Sequence, residues 1–298
     1  MPDRRSNPLS TLKPRLVHGL REGFHRGLVR LSGGSSVIVT EYPTDAKARW
    51  GWEDRPPNPH LARALEPSLP VMRDERDALE AHRAWFETIP VHAPDGGLHW
   101  DNGFWSGLDA GVQLRNLIER RPATYLEVGS GYSTLLARRA IADHGLDTRI
   151  VSIDPAPRAE VDASCDVLVR APLEQAGLSV FEELVAGDVV LIDGSHLAFM
   201  NADSVIALLE VLPSLPTGVL VGIDDVFLPC DYPPTWEERW YAEQYVLAGY
   251  LLGGASGCRV RMASWYLTQV VDGGEPHPLD KVLPGLGGFG KSVWLDRT

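Results

Sequence analysis

The chain has 298 residues, of which 44% are apolar and 23% charged, as is usual for a globular protein. Its net charge of −12 argues against a general nucleic-acid binder, since contacts with phosphates need a basic surface. The cysteines Cys165, Cys230 and Cys258 lie far apart and give neither a zinc motif nor a disulfide framework. No apolar run approaches the roughly 20 residues of a membrane span, and no secretory signal is recognisable. These features predict a cytoplasmic protein.

The first 35 residues are predicted to form a separate basic helical extension. Residues 1–30 hold seven lysines and arginines against two acidic residues, a local charge of +5, whereas the remainder carries −17. Within residues 16–31, leucines and a phenylalanine recur at spacings of three and four, which indicates an amphipathic helix. We favour a helix packed on the protein's own core. The alternative is a helix that docks on a membrane surface or a partner.

Residues 36–122 are predicted to form a cap region of helices and irregular segments. Residues 41–75 are rich in proline, tryptophan and charged side chains, which indicates an irregular segment. Two helices are predicted after it, around residues 76–87 and 105–119. The second contains the sequence WSGLDAGVQLRNLIER, with its apolar side chains on one broad face.

From residue 123 to residue 298 the sequence alternates between strand and helix patterns. Continuous apolar runs such as TYLEVG, DVVLIDG and GVLVGIDD predict strands that are buried on both faces. The pattern predicts an α/β fold with a doubly wound, mostly parallel sheet of seven strands. Helices are predicted in SVFEELVAG and, as one long element, in TWEERWYAEQYVLAGYLL. Two closing strands are predicted in CRVRMASWYLTQV and KSVWLDR.

Ligands of such sheets bind at the carboxyl ends of the strands, so the residues there are candidates for a functional site. The first strand is followed by Gly129 and Gly131, which allow a ligand to approach the backbone. The dinucleotide motif G-x-G-x-x-G is incomplete because Thr134 takes the third glycine position, which argues against a nicotinamide dehydrogenase. Asp154 ends the second strand, where a carboxylate can bind both ribose hydroxyls of an adenosine. The alternative for Asp154 is a cap in the turn DPAPR.

The order and spacing of YLEVGSGYST, IVSIDPAPR, DVVLIDGSH and GVLVGIDDVF resemble the class I S-adenosylmethionine-dependent methyltransferases over residues 123–298. The resemblance implies a Rossmann-like methyltransferase fold that binds S-adenosylmethionine and releases S-adenosylhomocysteine. It implies that the glycine loop lies under the methionine part of the cofactor and that Asp154 holds the ribose. It also implies that Asp193 faces the sulfonium and the acceptor. The cofactor-binding residues implied in this way are Glu127, Gly129, Ser130, Gly131, Ser133, Asp154, Ala171, Pro172, Leu173 and Asp193.

Three carboxylates are predicted to meet where two neighbouring strands end. Asp193 follows one strand, and Asp224 and Asp225 follow the next. This pattern resembles the metal-dependent small-molecule O-methyltransferases and implies a Mg²⁺ site formed by these three residues. Such an ion would lower the pKa of an acceptor hydroxyl. In the alternative, one aspartate caps the following segment and no metal binds.

His196 and Asp193 are the candidate catalytic residues. An imidazole titrates near neutral pH, so His196 is the candidate general base, with a structural role in a turn as the alternative. Aromatic side chains near these residues are candidates for an acceptor wall or a lid, although aromatic residues at helical spacing more often belong to a core. These candidates are Trp100, Phe104 and Trp105 on one side and Tyr232, Trp236, Trp240 and Tyr245 on the other.

The predicted function is transfer of a methyl group from S-adenosylmethionine to a small-molecule acceptor by in-line displacement. The preferred acceptor atom is a hydroxyl oxygen of a sugar, polyketide or other secondary metabolite. One alternative is metal-free N-methylation. Another is a cofactor-binding protein that transfers no methyl group. The sequence predicts no nucleic-acid partner and leaves the oligomeric state open, with a homo-oligomer among the alternatives.

Overall fold

A computed structural model describes residues 45–93, 98–157, 160–284 and 290–298, and residues 47–298 belong to one compact unit. The predicted basic extension, residues 1–35, lies outside the described residues. Within the described part of the chain, no helix is both long enough and apolar enough to cross a lipid bilayer.

A sheet of seven strands forms the centre of this unit. Its strands are β1 Thr124–Val128, β2 Arg149–Ile153, β3 Val167–Val169, β4 Val189–Ile192, β5 Leu220–Ile223, β6 Cys258–Ala263 and β7 Val293–Arg297. Their order is β3-β2-β1-β4-β5-β7-β6. The first five strands pair in parallel, whereas β7 runs antiparallel to both β5 and β6. The sheet confirms the predicted mostly parallel, Rossmann-like methyltransferase fold.

Helices precede the sheet and connect its strands. They are α1 Pro59–Leu65, α2 Leu69–Asp77, α3 Arg83–Phe86, α4 Gly107–Arg120, α5 Tyr132–Asp143, α6 Leu173–Ala176, α7 over residues 203–214 and α8 Glu243–Leu252. Every residue of β1, β4 and β5 is buried, as expected for strands covered on both faces. The apolar face of α4 packs against α5.

Glu75 on α2 joins the N-terminal helices to the sheet. Its buried carboxylate forms ion pairs with Arg115 on α4 at 2.6 Å and with Arg261 on β6 at 2.8 Å. It also accepts a hydrogen bond of 2.6 Å from the side-chain amide of Asn116. A buried carboxylate needs such partners, so these contacts fix the helices to the sheet. The prediction of an irregular segment is therefore wrong for residues 59–75, which form helices on the same core.

Three further predicted elements differ from the structure. The helix predicted at residues 179–187 is reduced to one turn, Leu178–Phe181. The long helix predicted at residues 235–252 is interrupted at Trp240, whose φ of 58° is left-handed. The strand predicted at residues 258–270 ends at Ala263 and continues as a helical turn. In short segments, apolar residues reach the core in more than one backbone conformation, and periodicity does not separate these conformations.

Candidate active site

The carboxyl ends of the central strands meet at one edge of the sheet. The N–H groups of Gly129, Asp193 and Asp224 each donate to the last carbonyl of the neighbouring strand, at 2.9, 2.8 and 2.9 Å. These three residues therefore lie side by side. The predicted glycine loop and the predicted carboxylates share the same edge.

A cleft of about 490 Å³ opens along this edge. Its volume lies within the range of small-molecule sites, roughly 300–1,000 Å³. Two of the predicted cofactor residues, Glu127 and Ala171, are not among those that line it, and Glu127 is fully buried. The predicted cofactor residues that line the cleft are Gly129, Ser130, Gly131, Ser133, Asp154, Pro172, Leu173 and Asp193.

The turn after β1 requires glycine at its first position. Gly129 has a φ of 82°, and a Cβ atom there would lie 1.8 Å from the carbonyl oxygen of Asp193. By contrast, a Cβ atom on Gly131 would meet no protein atom within 4 Å. The loop therefore packs tightly against Asp193, just after β4, on one side and leaves room for a ligand on the other.

Asp154 is held by backbone groups on both of its oxygens. The N–H of Ser130 donates to Oδ2 at 2.7 Å, and the N–H of Ala156 donates to Oδ1 at 2.7 Å. Each carboxylate oxygen has a further lone pair, so Asp154 can still accept two hydroxyl groups from a ligand. This geometry fits the ribose diol of an adenosine.

Glu127 supports the glycine loop from beneath. Its buried carboxyl group accepts hydrogen bonds from the hydroxyls of Tyr125 and Thr134, and the Thr134 hydroxyl accepts one of 3.1 Å from the N–H of Gly131. Burial raises the pKa of Glu127 to about 7, although these hydroxyl donors act in the opposite direction. A cation bound above the loop would favour the ionised form of this group.

Trp105 lines the cleft, as predicted for an acceptor wall, and is linked to the same support. Its indole N–H donates to Oε1 of Gln113, and Nε2 of Gln113 donates to the hydroxyl of Tyr125. Phe104 also lines the cleft and stacks on Tyr132 with ring centroids 6.0 Å apart. The remaining candidate on this side, Trp100, is fully buried in the core and does not line the cleft.

His196 occupies a buried position between carboxylates, with only 2% of its surface exposed. Its Nε2 lies 3.2 Å from Asp193 and 3.3 Å from Asp225, and its Nδ1 lies 2.9 Å from Glu243. Burial lowers the pKa of His196, but hydrogen bonds to Asp193 and Glu243 together with the charge of Asp225 outweigh this effect and raise it well above its usual value. A protonated imidazole with both nitrogens engaged does not accept a proton. The carboxylates at both ring nitrogens favour the structural alternative for His196 over the general base.

Lys291 binds the aspartate pair at the end of β5. Its Nζ lies 2.8 Å from Oδ2 of Asp224 and 2.5 Å from Oδ1 of Asp225. Burial raises the pKa of Asp224, and the Lys291 charge opposes this. Both aspartates raise the pKa of Lys291, although burial acts to lower it. The ammonium group is therefore the counterion of this pair.

The predicted Mg²⁺ site at Asp193, Asp224 and Asp225 does not fit this arrangement. Lys291 takes one oxygen from each aspartate of the pair, and His196 contacts Asp193 and the second oxygen of Asp225. In the described ranges, no group of three or more His, Cys, Asp or Glu side chains is set to hold a metal ion. The side chains of Lys291 and His196 thus contact the carboxylate oxygens that a divalent ion would need as ligands.

The aromatic candidates after Asp225 are not among the residues that line the cleft. Tyr232 is buried with Phe227, Cys230 and Trp265, and Trp236 packs against this group. Neither Tyr232 nor Trp236 lines the cleft, and the same holds for the other two lid candidates. The structure therefore places Tyr232 and Trp236 in an aromatic core. A core position is the alternative to a lid or an acceptor wall for these residues.

Lys291, Glu243 and Asp203 contribute to the site but were not identified from the sequence. Asp203 accepts hydrogen bonds from the backbone N–H and the hydroxyl of Ser195, at 2.7 and 2.6 Å, and thereby shapes the loop after β4. One available signal concerned Lys291, which lies two residues before the last strand. An antiparallel last strand begins at the edge where the parallel strands end, so its first residues reach the site.

Comparisons with known proteins give a family match and similar solved structures. Residues 126–226 match a family model described as "Methyltransferase domain". No sequence among the curated proteins matches the chain. The S-adenosylhomocysteine-bound methyltransferase PaMTH1 of Podospora anserina is 16% identical, with 74% of this chain and 88% of that chain covered and a TM-score of 0.40. The O-methyltransferase of Bacillus cereus in complex with S-adenosylhomocysteine is 14% identical, with 76% and 91% covered and a TM-score of 0.37.

The family match falls on the strands and loops that form the cleft, from β1 to the end of β5. The sheet around them has the topology expected for this fold. Over residues 126–226 the chain is thus similar to a methyltransferase domain.

Proposed function

We propose that the protein is an S-adenosylmethionine-dependent methyltransferase that methylates a hydroxyl oxygen of a small molecule, with Asp193 receiving the acceptor. The observation that carries the proposal is the position of the Asp193 side chain. It lines the cleft at the end of β4, is 31% exposed, and is backed by the buried His196. A carboxylate in this position can accept a hydrogen bond from an attacking hydroxyl.

The cofactor supplies a methyl group on a positively charged sulfur. The chain's own residues bind and orient it: the loop from Gly129 to Ser133 leaves backbone space, and Asp154 offers its two oxygens to the ribose. The cleft walls hold the acceptor in line with the methyl group, which favours in-line displacement.

The hydroxyl must lose its proton as it attacks, and Asp193 is the group available to accept it. In this proposal His196 does not take the proton. It remains protonated and holds the Asp193 carboxylate through the 3.2 Å contact between Nε2 and Oδ1. An amine can attack as a neutral group and lose its proton afterwards. A carboxylate facing the acceptor is therefore more useful to O-methylation than to N-methylation.

The rim of the cleft supports a small acceptor with an apolar part. Phe104 and Phe199 line the cleft and are 56% and 46% exposed. The net charge of −12 makes a nucleic-acid acceptor unfavourable. Hydroxylated aromatic or polyketide-like molecules have both a hydroxyl group and an apolar part. We propose that the acceptor is a small molecule of this kind in the cytoplasm.

The test uses the full chain with S-adenosylmethionine labelled with ¹³C in its methyl group. Acceptors are supplied as matched pairs in which a phenol or alcohol is replaced by the corresponding amine. We expect S-adenosylhomocysteine and an O–¹³CH₃ product from the hydroxyl member, identified by NMR. Exclusive formation of N–¹³CH₃ products would overturn the assignment of oxygen. In Asp193→Asn, kcat should fall by about 10²-fold or more while binding of S-adenosylhomocysteine is retained.

A further inference from the structure

We propose that Lys291 is the resident cation of this site and that its ammonium group replaces a divalent metal between Asp224 and Asp225. The inference rests on the proposed function in one respect: it implies that the proposed methyl transfer needs no divalent ion at the aspartate pair. Its main test measures metal binding and therefore does not depend on the identity of the acceptor or on turnover.

The backbone around Lys291 is fixed on both sides, so the position of the side chain is built into the fold. The N–H of Lys291 donates to Oδ2 of Asp109 at 2.8 Å, and its carbonyl accepts from the N–H of Val226 at 2.6 Å. Ser292, the next residue, also donates to Asp109 from its N–H at 3.0 Å. These contacts place the start of β7 beside the aspartate pair.

The charge balance of this edge requires a cation. Asp224 and Asp225 are both buried, and the carboxylates of Asp193 and Asp109 add further negative charge to the surroundings of Asp224. Leaving such a pair uncompensated is strongly unfavourable. Lys291 provides one positive charge at 2.8 and 2.5 Å, a range in which hydrogen bonds to charged groups are strong.

Loss of the ammonium group would leave a set of oxygens suited to a metal. Each aspartate would lose its contact with Nζ, and Oδ1 of Asp224 is already buried with no hydrogen-bond partner among the described residues. Hard divalent ions such as Mg²⁺ and Mn²⁺ prefer oxygen ligands of this kind. In the wild-type chain Lys291 prevents them from binding there.

Lys291 is a positioning residue in this scheme, since it acts on the cleft through other side chains. It holds one oxygen of Asp225, and the other oxygen of Asp225 contacts His196. His196 in turn contacts Asp193, which lines the cleft. The cation therefore helps to set the orientation of the carboxylate that faces the acceptor.

The experiment is a titration of the full chain with Mn²⁺, followed by electron paramagnetic resonance, after treatment with EDTA and in the presence of S-adenosylhomocysteine. The variants are Lys291→Met, which keeps the length of the side chain, and Lys291→Arg, which keeps the charge. Lys281→Met is the control, because Lys281 is an exposed lysine of the preceding segment. We expect Lys291→Met to bind Mn²⁺ roughly tenfold or more tightly than the other three proteins.

Two results would overturn the proposal. One is stoichiometric Mn²⁺ binding by the wild-type chain that Asp224→Asn abolishes, since the ammonium group would then not keep the metal out. The other is a folded Lys291→Met variant, shown by its circular dichroism and its binding of S-adenosylhomocysteine, that binds Mn²⁺ no better than the control. If Lys291→Met does not fold, the titrations of the wild type and Lys291→Arg decide, and Mn²⁺ binding by either at the aspartate pair refutes the proposal.

Discussion

The indole N–H of Trp105 donates a hydrogen bond of 2.6 Å to Oε1 of Gln113, and this bond joins the wall of the cleft to the support of the cofactor loop. Gln113 donates onward to the hydroxyl of Tyr125 at 2.5 Å, and that hydroxyl donates to Glu127. All four side chains are buried. Since buried polar groups are costly when unpaired, the chain of hydrogen bonds depends on each member.

The first prediction concerns Gln113→Leu. The substitution removes the acceptor of Trp105 and leaves its indole N–H buried without a partner, so we expect the free energy of unfolding to fall by about 1–3 kcal/mol. Urea denaturation followed by circular dichroism measures this change. The control is Gln175→Leu, at an exposed position, where a change within about 0.5 kcal/mol is expected. Equal stability of the two variants would contradict a structural role for the chain of hydrogen bonds.

The second prediction compares alanine at two glycines with positive φ. At Gly129 the new Cβ would lie 1.8 Å from the carbonyl oxygen of Asp193, whereas at Gly145, with a φ of 54°, it would meet no protein atom within 4 Å. Gly145→Ala should therefore cost only the conformational strain, about 1–2 kcal/mol. Gly129→Ala should cost more and should abolish binding of S-adenosylhomocysteine. Thermal unfolding and calorimetric titration measure both effects, and normal binding by Gly129→Ala would refute the proposed position of the cofactor.

The strand ends could be predicted from the sequence because parallel strands place their carboxyl ends at one edge. Each of the runs before Gly129, Asp154 and Asp193 is a short apolar segment that stops at a glycine or an aspartate. The local sequence pattern therefore predicts both the strand and the residue at which it ends. The structure places all three residues along the same cleft.

The counterions of the site could not be predicted in the same way, because they come from distant parts of the chain. Lys291 follows Asp224 by 67 residues, and Glu243 follows His196 by 47. Lys291 reaches the aspartates only because β7 inserts antiparallel between β5 and β6. Glu243 reaches His196 because the predicted long helix is interrupted and restarts at that residue. Neither the insertion of β7 nor the interruption of the helix can be predicted from a local pattern of hydrophobicity.

The third prediction concerns pH and Glu127. Burial raises the pKa of its carboxyl group from 4.5 to about 7, so the folded state binds this proton more tightly than the unfolded state. The associated stability is fully present below about pH 4.5 and is lost as the pH rises to about 7, by up to about 3 kcal/mol. Above that pH the contribution no longer changes.

Urea denaturation of the wild type and Glu127→Gln between pH 4.5 and 8 isolates this contribution. Other buried acids titrate in both proteins, so the difference between the two curves reports on Glu127. We expect the wild type to lose stability relative to the variant as the pH rises towards 7. Parallel curves over the whole range would show that Glu127 ionises normally in the folded protein.

The fourth prediction separates a structural cation from a general base at His196. Replacing it with glutamine leaves Glu243 buried without its 2.9 Å partner, so we expect a loss of about 3–5 kcal/mol in the free energy of unfolding. Adding Glu243→Gln removes that unpaired carboxylate and should recover at least about 0.5 kcal/mol, the coupling typical of residues in contact. The control is His92→Gln, whose ion pair with Asp101 is exposed and should contribute little.

Kinetics complete this test once an acceptor has been identified. If His196 only orients Asp193, the double variant His196→Gln, Glu243→Gln should keep the pH dependence of kcat while its absolute rate falls, because the group that accepts the proton is still present. If His196 is the base, the double variant should instead lose about 10²–10⁴-fold in kcat together with the corresponding inflection in the pH profile. The three carboxylate contacts of His196 favour the first outcome, since a charged imidazole in this position stabilises Asp193 and Asp225 and has no free nitrogen to accept a proton.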